Sequence, residues 1–324
     1  MSDVVVVGSY VQDLAFQTEL FPAPGETRIG RFKTGPGGKG FNQAVACHRM
    51  EAKTLFIGAV GRDIFAEDLA RFIKSEGIEA KLQVCPDAMT GAASIVVNKD
   101  GQNLIVVALG ASDELSAEFI DRHRKDIENA TVVLTQVECN LGATRRALEI
   151  GRAAGVTTIL NPAPINAGLT RHLLDLADII VPNETEFVHL MRTVCKENID
   201  DRFWTADDGR IHDLCLLCNV PTVILTLGDK GCFVSHNRAA ECGTRSPYRD
   251  GDDDFYRVPA LKVETVDTTG AGDAFNGGLA AGLLRYPGDC RKAVRCANVV
   301  GALSTQAYGT SPAMPRFSEV RKHS

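Results

Sequence analysis

The sequence lacks the features of several protein classes. No stretch approaches the ~18 consecutive apolar residues that a membrane helix needs, so no membrane association is expected. The formal net charge is -6, without the basic excess typical of nucleic-acid-binding proteins. Internal repeats and low-complexity segments are also missing. The start, Met-Ser-Asp followed by Val4–Val7, indicates a buried strand rather than a signal-peptide core, so a cytoplasmic location is expected.

The sequence also lacks the cysteine spacing of a zinc site, although it contains ten cysteines. Cys215 and Cys218 have C-x-x-C spacing, but no second Cys or His pair accompanies them. Residues 211–218 around them have an amphipathic helical pattern. Most other cysteines lie in apolar segments, such as Cys47 and Cys232. We interpret the cysteines as reduced residues of the core.

Apolar runs rich in β-branched residues recur along the chain, with helical patterns between them. The runs are residues 4–7, 55–59, 132–135, 158–160, 179–181, 223–227 and 233–235. Helices are predicted at 42–49, 64–75 and 143–154. Continuously apolar strands that alternate with helices are typical of parallel sheets covered on both faces. The sequence therefore predicts one doubly wound α/β domain, residues 1–324, with a mostly parallel sheet flanked by helices.

Two segments, about residues 10–36 and 90–110, alternate in polarity instead. In the second, residues 93–98 and 103–108 flank Asp100-Gly101, a strong hairpin turn signal. We expect these segments to form a small β-sheet inserted in the domain as a lid over a ligand crevice. The exposed face of such a sheet predicts pairing with a second subunit, and therefore a homodimer.

Two polar stretches are interpreted as surface insertions. Residues 195–210 contain the only tryptophan, Trp204, and residues 237–256 contain the acidic run 250–254. This run lacks the spacing and the terminal Glu of a calcium-binding loop. A solvated loop is therefore favoured over a metal site.

The most informative segment for chemistry is the turn Gly270-Ala271-Gly272. It follows an extended stretch that ends near Val266, and Asp273 begins a predicted helix through Leu284. Bare N–H groups at such a junction converge into an anion site, which suits the charge on a phosphoryl group in transfer. A first-turn carboxylate is also a common helix cap. Capping alone does not need two glycines, so a functional role for Asp273 is favoured.

Two nucleotide-binding motifs are absent. The Walker loop needs Lys-Ser or Lys-Thr, but Lys39 is followed by Gly40. The dinucleotide fingerprint needs a glycine where Phe275 stands, which disfavours a nicotinamide oxidoreductase. The loop at 35–40 nevertheless leads into a helix, where Lys39 and Asn42 offer donors to sugar hydroxyls. A flexible loop with an incidental lysine is the alternative.

Taken together, these segments resemble the ribokinase-like carbohydrate kinases over almost the whole chain apart from the insertions. The signatures are Gly-Gly-Lys-Gly-Phe-Asn-Gln-Ala at 37–44 and Asp-Thr-Thr-Gly-Ala-Gly-Asp-Ala-Phe at 267–275. Shorter matches are Pro-Gly-Glu-Thr at 24–27, Asn-Pro-Ala-Pro at 161–164, Pro-Asn-Glu-Thr-Glu at 182–186 and Thr-Leu-Gly at 226–228.

The resemblance implies ATP-dependent phosphorylation of a sugar, with D-ribose O5 as the expected acceptor. Asp273 is then the catalytic base, and the amides of Gly270, Ala271 and Gly272 form the anion hole. The implied sugar-binding residues are Asp13, Gly38, Lys39, Asn42, Glu138 and Asp273.

The resemblance also implies a nucleotide site and two cations. The residues implied to line the ATP site are Asn183, Thr226, Gly228, Gly272 and Asn298. Glu186 is implied to organise Mg²⁺ through water. A K⁺ site beside the anion hole is implied, with oxygens, mostly backbone carbonyls, from Asp267, Thr269, Ser304, Ala307 and Gly309.

The sequence departs from the family pattern at Val11, where bacterial members have Asn two residues before the first sugar-binding Asp. A hydroxyl contact is lost or replaced there, which leaves the acceptor open among ribose, deoxyribose, fructose and adenosine. The continuous Gly-Gly-Lys-Gly-x-Asn-Gln loop favours ribose or deoxyribose. A catalytically silent sugar-binding protein is the alternative outside the enzymes.

Overall fold

The structure is a computed structural model that describes residues 2–100, 102–238 and 253–323. Within these ranges the strands form two sheets. The large sheet comprises β1 (Val4–Val7), β4 (Thr54–Val60), β5 (Glu79–Val84), β8 (Val132–Gln136), β9 (Thr157–Asn161), β10 (Ile179–Ile180), β11 (Thr222–Thr226), β12 (Cys232–His236) and β13 (Phe255–Val258). The small sheet comprises β2 (Val11–Gln17), β3 (Arg31–Gly37), β6 (Gly91–Val97) and β7 (Asn103–Ala108).

Helices connect the strands of the large sheet and cover both of its faces. They are α1 (Lys39–Arg49), α2 (Ile64–Glu76), α3 (Ala117–Arg122), α4 (Arg124–Glu128), α5 (Leu141–Ala153), α6 (Arg171–Asp175), α7 (Glu184–Leu190), α8 (Asp208–Leu216), α9 (Ala271–Arg285), α10 (Cys290–Ser304) and α11 (Phe317–Val320). None of the helices in the described ranges has the length and apolarity to cross a bilayer.

The large sheet has the order β13-β12-β11-β10-β9-β8-β1-β4-β5. Its strands pair in parallel from β5 to β11. At the other edge, β12 pairs antiparallel with both of its neighbours, β11 and β13. The prediction of a doubly wound, mostly parallel sheet flanked by helices is therefore confirmed. The sequence did not distinguish β12 from its parallel neighbours, because an apolar run carries no information on strand direction.

The alternation within β1 shows how both faces are buried. Val4 and Val6 belong to the apolar cluster that contains residues of α1, α9 and α10. Val5 and Val7 belong to the cluster on the other side, with residues of α5. All four valines are fully buried, and each such side chain contributes roughly 1.5–3 kcal/mol to folding. The central strand is thus anchored from both sides.

Helix α9 packs tightly between α1 and α10 because its packing faces carry glycine. A Cβ atom at Gly277 would lie 2.5 Å from the Cβ of Ala46 on α1. A Cβ atom at Gly278 would lie 2.8 Å from the Cβ of Val300 on α10. These close approaches fix the position of the α9 N-terminus, where Asp273 lies.

The small sheet has the order β3-β2-β6-β7 and comes from the two segments predicted for it. Strands β2 and β6 are parallel, and the other neighbours are antiparallel. Strand β7 is exposed along its whole length. The predicted small β-sheet is confirmed. The Gly101 half of the hairpin turn, and residues 239–252 of the predicted insertion at 237–256, lie outside the described residues.

The insertion predicted at 195–210 follows a π-helical turn, Met191–Cys195, and contains a 3-10 turn, Phe203–Thr205. Its tryptophan is not isolated at the surface. The Nζ atom of Lys230 lies 4.6 Å from the centre of the Trp204 ring. The insertion therefore contacts the chain that follows β11.

Two predicted helix starts need correction. Helix α1 begins at Lys39, three residues before the predicted start, because the glycine-rich loop turns directly into it. Helix α9 begins at Ala271, two residues before the predicted start at Asp273. The stretch that ends near Val266 does not pair in either sheet. Instead, the N–H groups of Val266 and Asp267 both donate to the carbonyl of Thr305 at the end of α10.

Candidate active site

Polar residues cluster where the parallel strands end. Ser9 follows β1, Glu138 follows β8 and Asn161 ends β9. Asn183 follows β10, and Thr226 ends β11. Carboxyl ends of parallel strands open at the same edge of a sheet, where α/β proteins bind their ligands. Helices α1 and α9 also begin at this edge, which brings both glycine-rich loops into the same crevice.

Asp273 lies in the first turn of α9, and its carboxylate is held from α1. Its Oδ2 atom accepts a hydrogen bond from Nδ2 of Asn42 at 2.9 Å. Its Oδ1 atom accepts one from Nε2 of Gln43 at 3.0 Å. The residue is only 5% exposed. Because both oxygens have side-chain donors on another helix, the orientation of the carboxylate is fixed before any ligand binds.

A second layer of buried polar side chains holds those two amides. The Oε1 atom of Gln43 accepts a hydrogen bond from Nε2 of Gln136. The Nε2 atom of Gln43 also donates to Oδ1 of Asn161 at 3.1 Å. The Oδ1 atom of Asn42 accepts from the Ser311 hydroxyl at 2.6 Å. Gln43, Gln136, Asn161 and Ser311 were not predicted as site residues. Gln43 and Asn161 nevertheless gave a signal, since Gln43 stands beside Asn42 in the N-terminal signature and Asn161 begins the match at 161–164.

The glycine turn is shorter than predicted, because Ala271 and Gly272 already belong to α9. Gly270 is the N-cap of α9, with a φ of 79° that favours glycine. The N–H groups of the first turn have no acceptor within the helix, although that of Ala271 donates to the carbonyl of Thr268 at 3.2 Å. A Cβ atom at Gly272 would meet no atom within 4 Å. The front of the turn is therefore open.

The other glycine loop places Gly38 and Lys39 beside the first strands. Gly38 has a φ of 87°, and a Cβ there would lie 2.6 Å from the backbone nitrogen of Val11. Burial lowers the pKa of Lys39, but the carboxylates of Asp273, Glu138 and Glu186 together raise it above its ordinary value. Lys39 therefore remains a cation at neutral pH, facing three acidic residues.

Glu138 is buried and holds the start of α1. Its Oε2 atom accepts hydrogen bonds from the Ser9 hydroxyl at 2.6 Å and from the backbone N–H of Lys39 at 2.7 Å. Burial raises the pKa of Glu138, while the Lys39 charge opposes this. Ser9 was not predicted, because a lone serine after a strand carries no distinctive pattern.

Asp13 lies on β2 of the small sheet and faces the same crevice. Its Oδ2 atom accepts a hydrogen bond from the hydroxyl of Thr310 at 2.7 Å. A Cβ atom at Gly37 would lie 2.3 Å from this same oxygen, so the carboxylate packs on the glycine loop. Burial raises the pKa of Asp13 to about 6, and the Thr310 hydrogen bond partly offsets that rise. Thr310 was also missed from the sequence.

The residues predicted for a nucleotide form a second group along the crevice. Asn183 caps α7: its Oδ1 atom accepts from the N–H of Glu186 at 2.8 Å, and the Glu186 carboxylate accepts from the N–H of Asn183 at 2.9 Å. Asn183 also forms a β-bridge with Thr226. The next turn begins at Gly228, whose φ is 54°.

Asn298 joins this group from α10. Its Nδ2 atom donates to the carbonyl of Val258 at 3.2 Å and contacts the Cys232 sulfur at 3.7 Å. Cys232 is the strand partner of Thr226. The structure thus brings Asn183, Thr226 and Asn298 to adjacent positions, as predicted. Burial raises the pKa of the nearby Glu186 carboxyl.

The residues predicted to hold K⁺ come from two adjoining segments. The Asp267 carboxylate accepts from the N–H of Thr269 at 2.9 Å and from the N–H of Gly309 at 3.2 Å. The Ser304 hydroxyl donates to the carbonyl of Gly301 at 2.8 Å. Ala307 lies between Ser304 and Gly309 in the sequence. The Asp267 carboxylate and the Ser304 hydroxyl keep lone pairs beyond these bonds. Backbone carbonyls of the two segments are further oxygens of the kind that suits K⁺.

Metal ions can also be held by clusters of acidic, histidine or cysteine side chains. Across residues 2–100, 102–238 and 253–323, no group of three such side chains could hold a metal ion.

Comparisons with known proteins agree with this geometry. The model of the pfkB family of carbohydrate kinases matches residues 1–316. The chain is 35% identical to a ribokinase of Mus musculus, covering 96% of this chain and 91% of that protein. It is 33% identical to a deoxyribokinase of Salmonella typhi, covering 99% and 98%. A solved structure of Arabidopsis thaliana ribokinase complexed with ribose and ATP is 26% identical, with a TM-score of 0.82 over 99% of this chain and 98% of that one.

Proposed function

Because the chain belongs to the pfkB family of carbohydrate kinases and is a sugar kinase of the ribokinase type, we propose that it phosphorylates D-ribose at O5 with ATP. One observation carries the proposal. The Asp273 carboxylate is held by Asn42 and Gln43 beside an open glycine turn at the start of a helix. A fixed base next to an anion site is what transfer of a phosphoryl group to an alcohol requires.

Asp273 receives the proton of the attacking sugar hydroxyl in this mechanism. A carboxylate with an ordinary pKa of ~3.9 is a weak base toward an alcohol. It suffices because the transition state of phosphoryl transfer is loose, so that proton removal comes late and positioning dominates. The two amide donors aim the carboxylate, which in turn accepts the hydroxyl and orients its oxygen toward phosphorus.

The phosphoryl group lies against the turn Gly270-Ala271-Gly272 in this proposal. First-turn N–H groups and the positive end of α9 stabilise its charge. The Ala271 N–H, which donates to Thr268 in the structure, changes its acceptor when the anion binds. Lys39 adds a full positive charge beside the transferring group.

The sugar is held between the two glycine loops and the small sheet. Asp13 and Glu138 accept sugar hydroxyls, whereas Lys39 and Asn42 donate to them, with Gly38 allowing close approach. Asn42 already donates to Asp273 and accepts from Ser311, so it positions the base as well as the sugar. Val11 is buried at the position where the family pattern has Asn, so it supplies an apolar wall rather than a hydroxyl contact.

ATP lies along the second group of residues. Asn183, Thr226 and Gly228 line one side and Asn298 the other, with Gly272 facing the phosphates. Two cations complete the proposal. Mg²⁺ would be held near Glu186 through water and would neutralise phosphate charge when bound. K⁺ would be held by carbonyls of Asp267, Thr269, Ser304, Ala307 and Gly309, and would support the shape of the adjoining turn.

The small sheet serves as a lid on the sugar in this proposal, within one domain that spans the chain. Closure over the sugar excludes water and limits ATP hydrolysis. The outer face of the sheet carries Phe16 and Phe32, whose rings lie 5.0 Å apart and are 41% and 57% exposed. An apolar face of this kind is covered by a second copy in a homodimer. We place the enzyme in the cytoplasm.

Deoxyribose is the second candidate acceptor, because the chain is nearly as similar to a deoxyribokinase as to a ribokinase. The test is ADP release from ATP with ribose, deoxyribose, fructose and adenosine, each in K⁺ and in Na⁺ buffer. We expect the highest kcat/KM with ribose, and a higher rate in K⁺. A higher kcat/KM with another acceptor would overturn the ribose assignment. Sugar binding without turnover would favour the silent binding protein.

A further inference from the structure

We propose that Cys195 and Cys218 form a reversible disulfide in the presence of a peroxide, with Cys195 as the thiol that reacts first. Cys195 ends the π-helical turn before the insertion at 195–210, and Cys218 follows α8. The pair lies outside the kinase site. It is also different from the C-x-x-C pair, Cys215 and Cys218, that the sequence displays.

Arg171 shows that the two cysteines are adjacent. Its Nη2 atom contacts the Cys195 sulfur at 3.4 Å, while its Nη1 atom donates to the backbone carbonyl of Cys218. One planar guanidinium therefore contacts the Cys195 sulfur and the Cys218 backbone at the same time. The two side chains are also close enough for the Cys218 thiol to lower the pKa of Cys195 through a hydrogen bond. A disulfide requires neighbouring side chains of this kind.

The two thiols differ in reactivity in the way that a redox pair requires. The hydrogen bond from Cys218, and then the charge of Arg171, lower the pKa of Cys195 to about 7 against the effect of burial. The thiolate, which is the form that attacks peroxide, is therefore well populated at neutral pH. Cys195 is also partly exposed, whereas Cys218 is fully buried. The hydrogen bond to Cys195, together with burial, raises the pKa of Cys218.

Cys215 has neither the lowered pKa nor the partial exposure of Cys195. It is buried on α8, and burial raises the pKa of its thiol far above the ordinary value. A hydrogen bond with Ser235 opposes this rise of the pKa but does not cancel it. Sequence spacing therefore points to the wrong pair, because Cys195 is brought to Cys218 only by the tertiary structure.

The reaction balances with one peroxide for two thiols. The Cys195 thiolate attacks hydrogen peroxide, an S–O bond forms, the O–O bond breaks and hydroxide leaves. The Cys218 sulfur then attacks the resulting sulfenic acid, an S–S bond forms and the S–O bond breaks. The departing hydroxide takes the Cys218 proton, so the products are the disulfide and water. A dithiol reductant reverses the reaction.

The disulfide would close the segment of residues 196–217. This segment includes Trp204, whose ring contacts Lys230 in the turn that begins at Gly228. Closing the segment restricts the unfolded chain, so the oxidised protein should be more stable than the reduced one. We expect a melting temperature higher by a few degrees after oxidation, without a requirement for bound sugar or ATP.

The first test uses the wild-type protein. The reduced, folded protein is treated with equimolar hydrogen peroxide, its remaining thiols are alkylated, and its peptides are mapped by mass spectrometry without reduction. We expect a peptide linked through Cys195 and Cys218 that disappears after treatment with dithiothreitol. A link between Cys215 and Cys218, or no link between any two peptides, would overturn the proposal.

Variants test the reactivity of Cys195 separately from its proximity to Cys218. The alkylation rate of Cys195, followed against pH, should have a midpoint near 7 in the wild type. This midpoint should rise toward the ordinary thiol value of about 8.5 in Arg171→Gln and Cys218→Ala. Cys215→Ala is the matched control and should leave both the midpoint and the disulfide unchanged. A wild-type midpoint at the ordinary value, or loss of the disulfide in Cys215→Ala, would contradict the assignment.

Discussion

The two aspartates that face each other in the crevice are held in different ways. Asp273 receives two amide donors from α1, and those amides are fixed by further buried side chains. Asp13 receives one hydroxyl donor, from Thr310, and lies on a strand of the small sheet. The proposed base for phosphoryl transfer is thus built into the core between two helices. The carboxylate proposed to bind the sugar belongs to a peripheral sheet and has more freedom to adjust.

This difference suggests a division of labour. In the proposed mechanism Asp273, anchored between α1 and α9, performs the chemical step, while Asp13 on the small sheet helps the residues around the start of α1 to hold the sugar. Variants on the Asp273 side should change kcat, and variants on the Asp13 side should change KM for the sugar. Five predictions examine this division, from the largest expected effect to the smallest.

Asp273→Asn should lower kcat by ~10²-fold or more, because it removes the proton acceptor but keeps the shape of the side chain. KM for ribose should change little, since both Asp273 oxygens already accept from the amides of Asn42 and Gln43, and the sugar hydroxyl is only a further donor to them. Steady-state kinetics with saturating ATP measure both values. A kcat near that of the wild type would contradict the assignment of the base.

Asp13→Asn should raise KM for ribose by about 10- to 100-fold, the effect of losing a hydrogen bond to a charged group. Its kcat at saturating ribose should stay within a few-fold of the wild type. A fall in kcat without a change in KM would break the proposed division, because it would give Asp13 a role in the chemical step.

The pH dependence of KM sharpens the same prediction. Burial raises the pKa of Asp13 to about 6, so its carboxylate is ionised above this pH and protonated below it. KM for ribose should therefore rise as the pH falls through about 6, because a protonated carboxyl is a poorer acceptor. In Asp13→Asn this rise should disappear. A KM profile that is unchanged by the substitution would rule out Asp13 as its cause.

Much of the site was predictable because its residues lie in two continuous signatures. Asp273, Lys39 and Asn42 were found in this way, as was the turn at Gly270. The supporting residues were not. Gln136 ends a strand and resembles an ordinary polar residue of a core, and the match at 161–164 gave Asn161 no role. Thr310 reaches Asp13 across nearly the whole length of the chain. Such contacts depend on tertiary structure, which local spacing does not encode.

The fold, too, was predicted where local sequence patterns determine it and not where the course of the chain does. Alternating apolar runs and helices predicted the layers of the large sheet and the two segments of the small one. The antiparallel direction of β12 and the early start of α1 were missed, because both depend on how the chain turns rather than on the apolar pattern. The proposed pair of Cys195 and Cys218 was not predicted either, because these residues, like Asp13 and Thr310, are neighbours only in the tertiary structure.

Gln43→Leu should lower kcat by about 10-fold while leaving KM for ribose nearly unchanged. It removes one of the two donors to Asp273 and leaves the amide of Gln136 without its acceptor, a loss of roughly 1–2 kcal/mol. Gln43→Glu tests the geometry further, since it has the same shape but places a second carboxyl beside Asp273. Wild-type kcat in Gln43→Leu would show that Asn42 alone holds the base.

Gly277→Ala should have the smallest effect on catalysis but should destabilise the fold by about 1–3 kcal/mol. The added Cβ would lie 2.5 Å from the Cβ of Ala46 and force α9 away from α1. The melting temperature and kcat measure the two consequences. Gly209→Ala, on the partly exposed start of α8, is the control and should not lower stability. Equal melting temperatures for the two variants would contradict the close packing of α9.

The most direct test of the division of labour is ribose binding without turnover. Calorimetric titration with ribose, in the presence of a non-hydrolysable ATP analogue, gives Kd for the wild type, Asp273→Asn and Asp13→Asn. The account predicts a Kd within about 3-fold of the wild type in Asp273→Asn, and a Kd at least ~10-fold weaker in Asp13→Asn. Weak binding in Asp273→Asn together with wild-type binding in Asp13→Asn would contradict it.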